Sequence, residues 1–117
     1  MNTESRRRIL ITGMGILSPI GIGTEAFQAS LMSGTSGIKK SELYEFLAAP
    51  DCCVAEVADF NDSTIKKEYL KQQRRSLKVM CREIQLGVAS ANLAMDDSGI
   101  DLEAVDSERF GIEFGAN

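Results

Sequence analysis

The sequence predicts an α/β fold with a mostly parallel sheet flanked by helices, and three segments of the chain carry this prediction. A short apolar run at residues 9–11 is followed by Thr12 and Gly13, which is typical of a strand that is buried on both faces. Residues 75–98 repeat apolar side chains at helical spacing and predict a long helix. Residues 109–115 predict a second buried strand after that helix.

A short amphipathic helix is predicted after the first strand. Thr24 is expected to cap its first turn, where Glu25 would interact favourably with the helix dipole. Phe27 and Leu31 lie four residues apart and share a face, and Gly34 is a typical residue at a helix end. These residues predict a helix of about ten residues.

The long helix at residues 75–98 carries two apolar stripes. They consist of Leu77, Cys81, Ile84, Val88, Ala91 and Met95, and of Leu86, Ala89 and Leu93. Because the stripes together cover most of the helix, we expect protein to surround it. Ile84 and Val88 should be buried, whereas Lys78 and Glu83 should lie in solvent.

Several weaker signals complete the order of the elements. Gly87 and the alanines of the long helix would let another backbone approach it, and Gly99 is expected to end it. A brief turn capped by Asp101 is expected at residues 101–105. Residues 54–58 predict a strand on weaker evidence, and residues 64–73 predict one or two helical turns.

We expect residues 1–117 to form one domain that is incomplete at its C-terminus. A central apolar strand needs a helix on each face, yet the last predicted strand ends at Gly115, close to the end of the sequence. The two predicted strands and the apolar loop at residues 14–22 should therefore lack part of their cover. Uncovered apolar faces and strand edges favour self-association, here through Ile16, Leu17 and Ile20 or through a strand edge.

Composition and charge disfavour several classes of function. The chain has 44% hydrophobic and 26% charged residues, which is ordinary for a soluble globular protein. Its 17 acidic and 13 basic residues give a net charge of -4, which disfavours nucleic acid as a partner. No apolar stretch approaches the roughly 20 residues of a membrane helix, so no membrane partner is expected. Three cysteines, an odd number, predict no disulfide framework and fit a cytoplasmic location.

The glycines Gly13 and Gly15 after a predicted strand raise the alternative of a small nucleotide-binding α/β domain. The glycine motif of such domains needs a third glycine, at the start of a helix whose N-terminus faces the pyrophosphate. Ser18 occupies the third position, and the next helix is expected only at Thr24. We therefore disfavour this alternative.

The sequence offers no set of side chains for acid–base, nucleophilic or metal chemistry. It contains no histidine, which excludes Ser-His-Asp and Cys-His arrangements and most catalytic zinc sites. Asp51 precedes Cys52 and Cys53, and its charge disfavours a thiolate there, while Cys81 lies on an apolar stripe. The acidic residues near the end of the long helix are expected to be solvated caps: Asp96, Asp97, Asp101 and Glu103. We predict no catalytic residue, no cofactor and no metal site within the chain.

Four segments together nevertheless resemble the N-terminal half of the β-ketoacyl-(acyl-carrier-protein) synthases, condensing enzymes of the thiolase-like superfamily. They occur in the order that the family shows. They are Arg-Arg-Ile-Leu-Ile-Thr-Gly-Met-Gly-Ile-Leu-Ser-Pro-Ile-Gly at residues 7–21, Gly-Thr-Ser-Gly-Ile at 34–38, Ala-Met-Asp-Asp-Ser-Gly at 94–99 and Arg-Phe-Gly-Ile-Glu-Phe-Gly at 109–115. Glu113 departs from the family, which has an apolar residue there.

The resemblance implies a partial thiolase-like fold and an acyltransferase. Such enzymes catalyse the decarboxylating Claisen condensation of acyl and malonyl thioesters in fatty acid or polyketide synthesis, with acyl carrier protein as partner, and they form homodimers. Their nucleophilic cysteine lies within small residues downstream of the strand at Ile112, and histidines assist it. Neither feature occurs here, so the resemblance implies that the 117-residue chain alone is inactive. A non-catalytic synthase-like subunit and a docking or dimerisation module remain alternatives.

Overall fold

The computed structural model describes residues 8–41 and 52–115. Short strands and turns precede one long helix in this part of the chain. The elements are β1 Leu17–Ser18, β2 Gly21–Ile22, α1 Thr24–Met32, β3 Ile38–Lys40, β4 Cys53–Ala55, α2 Asp62–Thr64 with the π-helical turn Ile65–Tyr69, a 3₁₀ turn Leu77–Val79, α3 Arg82–Ser98 and a 3₁₀ turn Ser107–Arg109.

The strands form two separate antiparallel ladders. Strand β1 pairs with β2, with Leu17 opposite Ile22, and β3 pairs with β4, with Lys39 opposite Val54. The predicted mostly parallel sheet is therefore wrong for the described residues, although the α/β class holds. The weakly predicted strand at residues 54–58 is confirmed only at its start, since β4 ends at Ala55.

The two segments that were predicted to be buried strands are neither paired nor covered. Ile9 and Ile11 are 94% and 85% exposed, and Ile112 is 86% exposed. Within the described part of the chain, residues 9–13 and 111–115 make no backbone hydrogen bond. A strand forms only where a neighbouring strand accepts and donates its backbone hydrogen bonds, and among the described residues no strand pairs with these segments.

Helix α1 confirms the predicted element and corrects its cap. The N-cap is Gly23, so Thr24 is the first helical residue and makes no capping bond. At the other end Gly34 has a φ of 68°, a left-handed conformation that glycine adopts without strain. The Thr35 amide donates to the Ser30 carbonyl (2.9 Å) and the Gly34 amide to the Leu31 carbonyl (3.2 Å). This pair of bonds closes the helix as a Schellman motif, in agreement with the predicted end.

Helix α3 begins later than the sequence predicts and ends where predicted. It starts at Arg82, because residues 77–79 form a 3₁₀ turn and Met80 is extended. Gly99 ends it in the left-handed conformation, with a φ of 62°. Beyond it, the Asp101 carboxylate accepts a hydrogen bond from the Glu103 amide at 3.0 Å, which confirms the brief turn.

The core lies between the π-helical turn and the first half of α3. Four hydrophobic side chains of the described residues are buried there, namely Phe60, Ile65, Leu70 and Ala89. Asn61 fixes the entry to α2, because its side chain accepts from the Ser63 and Thr64 amides at 3.0 and 3.2 Å. The Thr64 hydroxyl accepts from the Asn61 amide at 3.0 Å and completes a capping box.

The predicted burial of α3 is confirmed only in part. Lys78 and Glu83 are exposed as expected, and Val88 is half-buried. Ile84, however, is 46% exposed, so its predicted burial is wrong. The elements of the described chain pack on the side of α3 that carries Ala89, and no sheet covers the side of Ile84.

Candidate functional site

A groove on α3 is one of the concave surfaces that the described residues form. It has a volume of about 590 Å³ and runs between residues 13–17 and residues 114–115. Its lining consists of Gly13, Met14, Gly15, Leu17, Val57, Glu83, Leu86, Gly87, Ser90, Ala91, Ala94, Phe114 and Gly115. Apolar and small residues predominate, so the groove is suited to contact with apolar groups.

The glycine-rich segment forms one wall because it lies directly on the helix. A Cβ atom on Gly15 would overlap the Ser90 carbonyl oxygen, and one on Gly13 would overlap the Ala94 carbonyl oxygen. Ser90 and Ala94 are spaced by four residues and form one narrow face of α3. The prediction that small residues on α3 admit another backbone is confirmed at Ala94.

Two hydrogen bonds hold this segment to α3. The Ser90 hydroxyl donates to the Gly15 carbonyl at 2.7 Å, and the Met14 amide donates to the Asp97 carboxylate at 2.8 Å. Both bonds span more than 70 residues of sequence and join the start of the chain to its long helix. Asp97, which was predicted to be a solvated cap, is exposed but also has this structural role.

Phe114 forms the opposite wall. A Cβ atom on Gly87 would overlap the ring of Phe114, which is 63% exposed. Gly87 therefore admits an aromatic side chain and not a backbone, which differs from the prediction. The ring lies against α3 on one side and against solvent on the other.

The groove lining carries little charge. Glu83 is the one ionisable side chain in the lining. The pKa of Glu83 lies below its ordinary value, because its own backbone amide and then the Cys81 thiol donate hydrogen bonds to the carboxylate. A carboxylate with a lowered pKa is a poor proton acceptor near neutral pH.

The three cysteines lie apart from the groove lining. Cys81 is exposed at the N-cap of α3, so its predicted place on a buried stripe is wrong. Cys53 is exposed in β4 and Cys52 is half-buried before it. In the described ranges no group of three or more metal-ligating side chains comes together. No helix among these residues is long and apolar enough to cross a membrane.

The position of the two glycines bears on the nucleotide-binding alternative. Gly13 and Gly15 lie against residues 90–98 of α3, well away from the N-terminus of that helix. The N-terminal amides of α3, where a phosphate could bind, are thus not beside these glycines. Their function here is to let two backbones pack closely.

A cluster around Arg82 was not predicted from the sequence. The Arg82 guanidinium lies 4.6 Å from the centroid of the Phe60 ring, and the Phe60 and Tyr69 rings are 5.5 Å apart. Burial raises the pKa of Tyr69, and the carboxylates of Glu68 and Asp59 raise it further. Only the fold brings Arg82 to the two rings, since Phe60 precedes α2, Tyr69 ends the π-helical turn and Arg82 begins α3.

A basic surface was also missed, although the sequence could have shown it. Six exposed basic side chains lie within residues 66–78, and Glu68 is the one acidic residue among them. They are Lys66, Lys67, Lys71, Arg74, Arg75 and Lys78. We call these six residues the basic segment. A count of charges in a sliding window would have found it against the net acidic background.

Comparison with known proteins gives matches over nearly the whole chain. The chain matches the β-ketoacyl synthase N-terminal domain over residues 6–117. It is 34% identical to 3-oxoacyl-(acyl-carrier-protein) synthase 2 of Vibrio harveyi over 112 residues, which cover 96% of this chain and 26% of the relative. It is also 34% identical to the tetracenomycin polyketide synthase ketoacyl synthase alpha subunit of Streptomyces glaucescens over 116 residues, 98% of this chain and 26% of the relative.

A third relative is 3-oxoacyl-(acyl-carrier-protein) synthase 2 of Coxiella burnetii, 28% identical over 111 residues, with 95% of this chain and 25% of the relative covered. No solved structure gives a significant match. The chain spans about a quarter of the length of these curated relatives. The family match over residues 6–117 shows that the chain belongs to the β-ketoacyl synthase family, within its N-terminal domain.

Proposed function

We propose that this chain acts as the N-terminal part of a 3-oxoacyl-(acyl-carrier-protein) synthase. In that enzyme an acyl group, held as a thioester, condenses with a malonyl thioester with loss of carbon dioxide. The observation that carries the proposal is the family match over residues 6–117, together with relatives that are named as fatty acid and polyketide ketoacyl synthases. The chain's contribution is structural: α3 and the glycine-rich segment provide a surface on which the rest of the enzyme packs.

We propose further that no residue of this chain is the nucleophile or the base of the condensation. The chain lacks histidine, and the condensation needs groups that stabilise the charge formed on decarboxylation. The match covers 26% of the Vibrio harveyi synthase, and the rest of that relative is long enough to contain the catalytic groups.

The isolated chain is expected to form no acyl-enzyme. After incubation with an acyl thioester, intact-mass measurement should show the unmodified chain, with no added acyl group on Cys52, Cys53 or Cys81. The positive arm is a chimera in which this chain replaces the matching residues of the Vibrio harveyi synthase 2. That chimera should condense acyl and malonyl thioesters, because its remaining part supplies the catalytic groups.

The two arms separate the alternatives. Acylation of one mapped cysteine in the isolated chain would contradict the absence of a nucleophile. A chimera that folds and can be acylated, yet does not condense, would instead favour a non-catalytic synthase-like subunit or a docking module.

We also propose that the acyl carrier protein docks on the basic segment. The six basic side chains are exposed and concentrated, and such a surface suits a partner with negative charge. In the chimera, Arg74→Glu combined with Lys71→Glu should raise KM for the carrier-protein substrate about tenfold or more, with kcat little changed. Adding salt should diminish the difference between this variant and the parent.

A charge reversal elsewhere is the control for this docking surface. Arg109→Glu combined with Lys39→Glu changes the charge by the same amount at two exposed residues outside the basic segment and should leave KM unchanged. Equal effects of the two charge reversals would contradict docking on the basic segment, since they would reflect net charge alone.

A further inference from the structure

Four of the six residues of the basic segment lie on a stretch of chain that is not α-helical. They are Lys71, Arg74, Arg75 and Lys78. The backbone there forms successive turns, each closed by one hydrogen bond between residues three positions apart. The Gln73 amide donates to the Leu70 carbonyl at 3.2 Å, and the Ser76 amide donates to the Gln73 carbonyl at 2.9 Å. Such turns restrain a chain less than an α-helix does, so the positions of the four charges depend on contacts with the rest of the protein.

Asn92 on α3 supplies one of these contacts. Its side-chain amide donates to the Tyr69 carbonyl at 2.9 Å and, with a longer bond, to the Gln73 side-chain oxygen at 3.5 Å. Tyr69 is the last residue of the π-helical turn, so its carbonyl has no partner within that turn. Lys71 lies between Tyr69 and Gln73 in the chain, and Arg74 follows directly. Asn92 thus ties the chain on both sides of Lys71 to the long helix.

Further contacts hold the same stretch in place. Leu70 is 0% exposed and anchors its start in the core. The Arg74 Nε atom donates to the Lys66 carbonyl at 3.0 Å, which uses one of the five N–H donors of the guanidinium. At the far end, the Gln85 side-chain amide donates to the Met80 carbonyl at 3.1 Å. Helix α3 therefore holds the stretch at both ends.

The polar group of Asn92 is not needed for the packing of α3 itself. Ala89, one turn earlier on the same face, is buried in the core without any polar group. A half-buried amide costs free energy unless it is hydrogen-bonded, and asparagine is a weaker helix former than alanine or leucine. An apolar side chain would leave the Tyr69 carbonyl without the bond from α3. The structural effect of the Asn92 amide is therefore on the stretch that carries the charges.

We propose that Asn92 is a positioning residue for the docking of the acyl carrier protein: its side-chain amide fixes Lys71 and Arg74 relative to α3. This inference rests on the proposed docking of that partner on the basic segment. A surface whose charges are already in place loses less conformational freedom when a partner binds, so binding is tighter. Without the amide, the stretch after Tyr69 samples more conformations, and fewer of them match the negative groups of the partner.

Kinetics of the chimera with the Vibrio harveyi synthase 2 test this role. Asn92→Leu replaces the amide by an apolar group of similar size, and Asn92→Ala removes it without a new contact. Each should raise KM for an acyl-carrier-protein thioester about threefold to tenfold, with kcat little changed. KM for the same acyl group on N-acetylcysteamine should not change, because that small uncharged thioester does not contact the basic segment. Asn92→Gln keeps an amide donor and should have a KM close to that of the parent.

Ser18→Ala is the control for a general loss of stability. It removes a half-buried hydrogen bond, from the Ser18 hydroxyl to the Gly21 carbonyl at 2.9 Å, outside the basic segment and the groove lining. Its KM for both thioesters should equal that of the parent. When Asn92→Leu is combined with Lys71→Glu and Arg74→Glu, it should raise KM little further, because the charges that it positions are already lost.

The outcomes separate this inference from the docking proposal on which it rests. If the charge reversals at Lys71 and Arg74 leave KM unchanged, both are wrong. If those reversals raise KM but neither Asn92→Leu nor Asn92→Ala does, docking stands and the positioning role is overturned. The positioning role is also overturned if the Asn92 variants raise KM for both thioesters alike, or if Ser18→Ala raises KM as much as they do.

Discussion

Replacement of Phe60 by alanine is expected to lower the free energy of unfolding by about 3–5 kcal/mol. Phe60 is 1% exposed and contacts both the Tyr69 ring and the Arg82 guanidinium. The buried core of the described chain has four hydrophobic side chains, so few other contacts can compensate for the cavity. We expect the variant to be mostly unfolded at 25 °C, as measured by circular dichroism and urea titration.

Two controls isolate the cause of this loss. Phe114→Ala removes an aromatic ring that is 63% exposed and should cost much less than Phe60→Ala. Arg82→Gln removes the cation above the Phe60 ring and should cost about 0.5–1 kcal/mol, because Arg82 is exposed. All samples need the same protein concentration, since association adds to apparent stability. A Phe60→Ala chain as stable as Phe114→Ala would show that the core lies elsewhere.

Replacement of Gly15 by alanine is expected to cost about 2–4 kcal/mol. The new Cβ atom would overlap the Ser90 carbonyl oxygen and approach the Ala94 amide nitrogen to 2.7 Å, so the segment must move off α3. That movement strains or breaks the bonds from Ser90 to the Gly15 carbonyl and from the Met14 amide to Asp97. Urea titration should show a lower midpoint, and amide exchange at Met14 should become faster.

Other glycines of the chain provide a graded comparison. Gly111→Ala places a methyl group in open space and should change the free energy of unfolding by less than about 0.5 kcal/mol. At Gly87 the obstructing atoms belong to the exposed Phe114 ring, which can turn away, so Gly87→Ala should cost less than Gly15→Ala. If Gly87→Ala lowered the free energy of unfolding more than Gly15→Ala, the glycine-rich segment would not pack on α3 as described.

The sequence correctly predicted those features that depend on interactions between residues close together in the chain. The end of α1 at Gly34, the end of α3 at Gly99 and the turn after Asp101 all form by hydrogen bonds between residues fewer than six positions apart. The start of α3 was placed seven residues too early, at residue 75 and not Arg82. Apolar spacing continues through residues 75–81, but the chain there forms turns that pack beside the core.

Two conclusions came from the sequence alone. The order of the four matching segments indicated the family, and the amino-acid composition showed that the chain has no histidine. The tertiary structure decided the rest: two antiparallel ladders in place of a parallel sheet, the exposed side of α3 at Ile84, and the contact of Arg82 with Phe60. The physical reason is the range of the interactions. A helix satisfies its backbone hydrogen bonds within one segment, whereas the runs at residues 9–11 and 110–114 become strands only beside another backbone, however apolar they are.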